Sequence, residues 1–559
     1  MIVRDLSPDT IVFNGVIHTL DPQSTVTQAL AIKDGRIIAL GADAEILPLA
    51  GTQTQRIDLR GGCTIPGIFD SHAHLLEVGL KLTHVRLDEC RSPEEMMELV
   101  RKRAEITPPG HWIIGQGWNE GNFDLSTPPG RLPTRWDIDP ATDQHPVILQ
   151  RFFNMDVVNS VALRMAGITR HTPDPTSGKI EHDADGEPNG IIRAAAKLLV
   201  RSLLPRPTWS QLHEAIKLGC QDFNRYGITS VLDPGLYPYE IQAYQRYYQA
   251  GSRLQVASSE SNPQLSVRLN LLANWHGFRE DETEAELDAR AQGIGIFSGL
   301  GDEWLKIGGL KMAIDGGTSS RTAWMYEPFE GESEVRGFNR LSPERLYRYF
   351  RTAQELGWDV GIHTCGDRAM DVAVETFARV MQDVPQADMR HNIIHAYFPS
   401  DKAIQLMAKH RIAAVVQPTF VYWEGDMIFR DVGERRAANY KPVRKLLDHG
   451  VIVTASSDVP STPSHNPFPA LYALVTRKNN LDHFVAQDQA VSRLEALRLY
   501  THAGTWLTRE ESLKGTLEIG KVADLALLDR DYFGVSDEEI KETKVTMTMV
   551  NGQLVWQNH

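Results

Sequence analysis

Apolar and polar residues follow two rhythms along this chain, and the change between them divides it. Near the N-terminus the period is two. Thr10-Ile-Val-Phe-Asn-Gly-Val-Ile-His18 alternates around Asn14-Gly15, and Leu30-Ala-Ile-Lys-Asp-Gly-Arg-Ile-Ile-Ala-Leu40 does so around Asp34-Gly35, both dipeptides of tight hairpins. The same period returns at the far end, in Ala523–Leu528 and in Thr546–Trp556, which holds Asn551-Gly552. Strands at both ends of a long middle predict one small β domain, a β-sandwich, assembled from the two termini.

From residue 210 the middle alternates between helical and strand patterns. In Gln211–Tyr226 the apolar residues Leu212, Ile216, Leu218 and Phe223 recur at helical spacing, and the pattern stops at Gly227. Apolar strands are predicted at 228–233, 266–273, 305–315, 359–364, 392–396, 412–417 and 451–458. Helices separate several of them, one opening on Ser342-Pro-Glu and another covering 441–449 before Gly450. The stretch Thr64-Ile-Pro-Gly-Ile-Phe-Asp70 adds an opening strand and brings the number to eight. Alternation of this kind means a parallel sheet, and eight repeats favour an α/β fold closed as a (β/α)8 TIM barrel. After the opening strand, Ser92-Pro-Glu-Glu95 begins a helix with a cap, a first-turn Pro and a carboxylate three residues on. Residues 105–200 show no clean period and are rich in Pro, Gly and Trp; they read as an insertion over the barrel mouth. Its aromatics Trp112, Trp118, Phe123, Trp136, Phe152 and Phe153 line an apolar substrate pocket or, more simply, the insertion's own core. The expected division is 1–62 for the first part of the sandwich, 63–507 for barrel and insertion, and 508–559 for the rest of the sandwich.

Composition narrows the function classes. The 559 residues are 42% hydrophobic and 23% charged, as in soluble globular proteins. No apolar run approaches the roughly 20 residues that span a bilayer, and the first residues lack a signal-peptide pattern. A formal charge of −14 without a basic block argues against nucleic acid and anionic membrane as partners. Cys63, Cys90, Cys220 and Cys365 have no paired spacing and read as reduced thiols of a cytoplasmic protein. A small-molecule substrate is expected, and a homodimer is left open.

In a parallel barrel, chemistry gathers at the C-terminal strand ends. His72 and His74, two apart at the end of the opening strand, would present both imidazoles to one side. The fourth strand carries Lys311, with Ala313 and Asp315 on the same face; the fifth ends at His363, the sixth at His395 and the eighth at Asp458. Each has an ordinary explanation alone: a buried His is commonly a hydrogen-bonded core residue, and an Asp before a turn is commonly a cap. A Lys in an apolar strand is rarer, because burying an ammonium without a partner is costly. Four His, one Lys and one Asp at five strand ends are poorly explained by chance.

With these residues in place the chain resembles the amidohydrolase superfamily, and within it the type-3 (YtcJ-like) amidohydrolases, which include N-substituted formamide deformylases. The resemblance runs over nearly the whole chain. It is carried by Pro66-Gly-Ile-Phe-Asp-Ser-His-Ala-His74, Lys311-Met-Ala-Ile-Asp-Gly-Gly-Thr-Ser-Ser-Arg-Thr-Ala323, His363-Thr-Cys-Gly-Asp-Arg-Ala369, His395-Ala396, Val416-Gln-Pro418, Gly433-Glu-Arg435, Ser457-Asp-Val-Pro460 and Gly520-Lys-Val-Ala-Asp524. It implies two divalent metal ions, Zn²⁺ first among them, held by His72, His74 and Asp458 on one side and by His363 and His395 on the other. Lys311 would bridge them as a carbamate formed with carbon dioxide. It further implies hydrolysis of a linear amide, N-substituted formamide or carbamate by a metal-activated hydroxide, with Asp458 as the proton carrier. A cyclic amide or ester hydrolase, or a barrel scaffold without catalysis, are the alternatives.

The chain also departs from the family pattern. Asn154 stands where relatives carry His, Ile394 where many carry Glu, and Arg193 where many carry Glu. Asn154 and Arg193, with Trp118, are the candidate substrate contacts, and Arg193 could pair with an anionic group.

Overall fold

The computed structural model describes residues 7–118, 123, 131–151, 155–175, 178–254, 265–276, 285, 289 and 295–558. Two compact units divide the chain, one formed by residues 1–76 and 219–559, the other by 77–218.

The first unit contains the barrel. Its strands are β1 (Ile68–Asp70), β2 (Ile228–Leu236), β3 (Arg268–His276), β4 (Leu305–Ala313), β5 (Val360–Thr364), β6 (Asn392–His395), β7 (Ala413–Val416) and β8 (Val453–Ala455). Neighbours pair in parallel and in chain order. The ring is drawn together between its first and last strands by Ser71 N–H to Ala455 O at 3.4 Å and by Asp458 N–H to His72 O at 2.8 Å. An apolar layer of Phe69, Leu232, Leu272, Ile394 and Val415, from five strands, fills part of the core. Helix Pro343–Glu355 returns the chain from β4 to β5, its first turn closed by the Ser342 side chain accepting from Arg345 N–H at 3.3 Å.

Both chain ends form the sandwich. One sheet has the order 36–41, 29–33, 10–13, 55–58; the other has 553–557, 545–550, 525–528, 63–66, 16–18, 26–27. Strand 525–528 runs antiparallel to 63–66, with Leu528 opposite Cys63. Val12, Ile32, Leu525 and Met549 share one apolar cluster. Asp34-Gly35 and Asn551-Gly552 turn true hairpins, with positive φ at all four residues. Asn14-Gly15 does not. Strand 10–13 pairs in one sheet and 16–18 in the other, so this turn carries the chain between layers. Gly15 is required there for closeness: a Cβ would collide with the Leu59 side chain and the Gly62 carbonyl.

The second unit has a six-stranded sheet of its own, in the order 178–182, 188–194, 155–158, 147–151, 113–118, 85–86. Val147, Leu149, Val157 and Ile191 face one apolar cluster, and Ile148, Val158, Ile180 and Ile192 face another. Side chains alternate in direction but not in polarity, which is why residues 105–200 show no period. Helix Pro93–Ile106 begins as expected, with Ser92 accepting from Glu95 N–H at 3.2 Å. Among the described residues, no helix is long and apolar enough to cross a membrane.

Candidate metal centre

His72 and His74 stand just beyond the last residue of β1 rather than on the strand itself. The Asp70 carboxylate takes over there, accepting from His72 N–H at 3.3 Å and from Ser457 N–H at 3.0 Å. Neighbouring strand ends hold the rest of the segment, with Ala73 N–H donating to Leu232 O at 3.1 Å and His74 N–H to Val459 O at 2.9 Å. The two imidazole centroids are 5.5 Å apart. Asp458, in the left-handed backbone region at φ 58°, brings its Oδ1 to 3.4 Å from His72 Nε2 and to 3.4 Å from His74 Nε2.

That spacing discriminates. It is long for a charge-assisted hydrogen bond, whose donor and acceptor sit about 2.7–2.9 Å apart. Ligand atoms about 2.0–2.1 Å from a common ion at tetrahedral angles stand about 3.4 Å from one another. A second grouping, His18 with Cys63 and Asp531 in the sandwich, fails the same comparison: His18 Nε2 is 2.9 Å from Asp531 Oδ1, the distance of an ordinary hydrogen bond.

His363 and His395 make the other half, with ring centroids 4.4 Å apart; His395 is 5.7 Å from His72. Hydrogen-bond partners assign their tautomers. His363 Nε2 lies 3.2 Å from Gly316 O, which only accepts, so Nε2 carries the proton and Nδ1 keeps its lone pair. His395 Nδ1 lies 2.9 Å from Gln417 Oε1, so its free nitrogen is Nε2. Cys365 Sγ stands 3.5 Å from His363 Nε2, beside the protonated nitrogen and away from the open one.

Burial keeps the imidazoles neutral, as ligands must be. With Lys311 adding repulsion, it lowers His72 to about 3 and His363 to about 4, and it pushes His395 well below its ordinary value. Burial opposes the Asp458 carboxylate, but the imidazoles of His72 and His74 outweigh it and hold Asp458 well below the usual range. Lys311, 3% exposed on β4, has its amine lowered by burial to about 7, although Asp458 acts in the opposite direction. At that value roughly half of the amine is uncharged at neutral pH, and the uncharged amine is the form that adds carbon dioxide. The donor set, one carboxylate, the four imidazoles and one such amine, therefore suits divalent ions.

Asp315, expected on the face of Lys311, lies past the end of β4 and has a different task. Its carboxylate accepts from Cys365 N–H at 3.1 Å, Gly366 N–H at 2.7 Å and Trp324 N–H at 2.9 Å, fixing the loop behind His363. Gln417 and Lys441, which surround His395, were not singled out from the sequence, although Gln417 lies in the Val416-Gln-Pro418 marker. Ile394 belongs to the apolar barrel layer.

Of the residues expected near the substrate, Asn154 lies outside the described residues, as do Phe152 and Phe153. Trp118 is fully buried in an apolar cluster of its own unit, its indole N–H donating to Leu149 O at 3.2 Å. Arg193 is ion-paired with Glu181.

Comparison with known proteins identifies the family. A family model described as the amidohydrolase family matches residues 55–556. YtcJ of Bacillus subtilis is 28% identical over 550 residues, covering 97% of this chain and 98% of its own. The N-substituted formamide deformylase of Arthrobacter pascens is 26% identical over 557 residues, covering 98% of each. A crystal structure of a metal-dependent hydrolase from Pyrococcus furiosus superposes with a TM-score of 0.74 at 26% identity, over 93% of this chain and 99% of that one.

Proposed function

This chain belongs to the amidohydrolase family, and we propose that within it the protein hydrolyses a non-peptide C–N bond in a linear amide, an N-substituted formamide or a carbamate. The observation that carries the reading is the spacing of His72 Nε2, His74 Nε2 and Asp458 Oδ1, two edges of 3.4 Å on strand ends that a family hydrolase would need for a metal ion. The likeness to a formamide deformylase over 98% of both chains supports a small acyl group on nitrogen.

In this reading His72 and His74 through Nε2, with Asp458 through Oδ1, hold one divalent ion. His363 through Nδ1 and His395 through Nε2 would hold a second, and Lys311 as a carbamate would supply a further ligand. Zn²⁺ is the ion to expect first from nitrogen and oxygen donors. Bound ions of this kind supply Lewis acidity to a carbonyl and lower the pKa of a water molecule. Asp458 does the proton work. Its Oδ1 faces the imidazoles, so Oδ2 is the oxygen left to take the proton from the attacking water and return it to the departing nitrogen.

The test is metal analysis of purified protein followed by a hydrolysis screen of formamides, N-acyl amino acids, carbamates, lactams and esters. Two divalent ions per chain and turnover of a linear amide, formamide or carbamate are expected. Absence of bound metal after loading would remove the binuclear reading, and turnover of lactams or esters alone would move the substrate class.

A further inference from the structure

The imidazole of His395 is held from behind by a buried network in which every proton has one place. Gln417 Nε2 donates to Val415 O at 3.1 Å and to Ser456 Oγ at 3.1 Å, and the Ser456 hydroxyl donates onward to Val416 O at 3.1 Å. A carbonyl cannot donate, so the Gln417 amide cannot be flipped, and its Oε1 must face the other way. Two groups meet that oxygen: Lys441 Nζ at 3.1 Å and His395 Nδ1 at 2.9 Å. An amide oxygen only accepts. His395 Nδ1 must therefore be N–H, which leaves Nε2 with its lone pair.

Lys441 does more than fill a place. It is 1% exposed, and its Nζ also donates to His395 O at 3.2 Å while lying 3.9 Å from the centre of the Tyr397 ring. Its own N–H donates to Tyr397 O at 2.8 Å. The clasp surrounds a strained stretch of backbone, since His395 and Ala396 have φ of 79° and 47° without being glycine. Conformations of this kind persist when their surroundings over-determine them.

We infer that Gln417 and Lys441 are positioning residues that lock His395 into its Nδ1–H tautomer and into one backbone pose, so that Nε2 is always the nitrogen offered to a metal ion. The inference rests on the metal reading given above for its consequence, but not for the tautomer itself. Partners behind a ligating histidine are worth about tenfold to a hundredfold in metal affinity.

The experiment reads the tautomer first. Metal-free protein carrying ¹⁵N-histidine, with the His395 signal assigned by difference from His395→Gln, is expected to show Nδ1–H alone. Gln417→Leu should give a mixture of tautomers. Gln417→Glu keeps one oxygen facing Nδ1–H and Lys441 while its second, once protonated, can donate to Val415 O, and should restore the single form. Chelator competition should then find one of two bound ions weakened about tenfold to a hundredfold in Gln417→Leu, and weakened in the same direction in Lys441→Met. A wild-type His395 that is Nε2–H or mixed would overturn the inference, as would Gln417→Leu with unchanged tautomer and affinity. Because the wild-type spectrum decides the first point, a variant that fails to fold does not rescue it. A wild type that binds no metal yet shows Nδ1–H would instead sink the metal reading and, with it, only the affinity half of the inference.

Discussion

Lys306 and Lys311 stand five residues apart on β4, and the two ends of the barrel treat them in opposite ways. Lys306, at the N-terminal end, places its amine 2.8 Å from Glu510 Oε1; the other carboxylate oxygen takes Lys514 Nζ at 2.8 Å and the Thr508 hydroxyl at 2.6 Å. Nearby, the guanidinium of Arg268 grips Asp524 with Nε at 2.6 Å and Nη2 at 3.1 Å, and Asn551 N–H supplies a further bond to the same carboxylate at 2.8 Å. These contacts tie the barrel to the sandwich, and each buried charge there has a partner. Lys311, at the other end, has no carboxylate in ion-pair reach among the described residues; Asp458 is the opposing charge that bears on it most. Among the described residues, Asp70 Oδ2 on β1, His72 Nδ1 just beyond it and Asp233 Oδ1 on β2 are buried without a hydrogen-bond partner. Saturated polar groups hold a fold together, whereas the C-terminal strand ends are where a parallel barrel gathers its chemistry.

The sharpest way to break this division is to change one carboxylate at each end. Asp458→Asn should lower kcat of the metal-loaded enzyme about 10²–10⁴-fold, the range of a lost proton carrier, with the urea midpoint of the metal-free protein nearly unchanged. Retained turnover would remove Asp458 from the chemistry. Asp524→Asn should do the reverse. Leaving Arg268, which is 1% exposed, with only the longer 3.8 Å contact to Glu303 should cost about 2–4 kcal/mol of stability, read from urea unfolding. Turnover per folded molecule should stay at the wild-type value; a loss of kcat there would show that the two ends are not separate in function.

The two ends also differed in how far the sequence exposed them. His72, His74, Lys311, His363, His395 and Asp458 were legible because each lies at, near or just beyond the C-terminal end of an apolar strand, where such residues stand out against their neighbours. The Arg268–Asp524 pair spans 256 residues, and no local pattern announces a contact of that reach. Gln417 and Lys441 were missed for the same reason, although one of them sits in a family marker. The sheet of the second unit stayed hidden because Val147, Ile148 and Leu149 are all apolar yet face two different clusters, so no period marked the strand. Asn14-Gly15 misled in the opposite sense. Its composition is that of a hairpin, but Gly15 is there because Leu59 and Gly62 leave no room for a Cβ.

Acid titration should separate the ends by a smaller amount. Burial opposes the charged form of Glu510, but Lys514 and Lys306 outweigh it and hold the carboxyl at about 2, below its ordinary 4.5. A depressed carboxyl contributes stability above its unfolded pKa and loses that contribution as pH falls towards the folded one. The stability gap between wild type and Glu510→Gln should therefore be level above pH 5 and shrink by up to about 1.4 kcal/mol per pH unit below about 4.5. A gap that stayed level down to pH 3.5 would mean that the two lysines do not hold Glu510 charged.

The smallest expected effect comes from the two lysines of β4, and it differs in sign. Lys306→Met leaves Glu510 with Lys514 as its ion-pair partner among the described residues, and should destabilise the metal-free chain by about 1–3 kcal/mol. Lys311→Met removes a buried amine that no carboxylate supports and fills the place with apolar volume. The cost of keeping that amine out of water then disappears, and the metal-free chain should be unchanged or more stable by about 1–2 kcal/mol. Chemical denaturation of both variants after chelation reads the two values directly. Equal losses at both positions would mean that Lys311, too, is a structural cation, and the contrast between the barrel's ends would lose its clearest case.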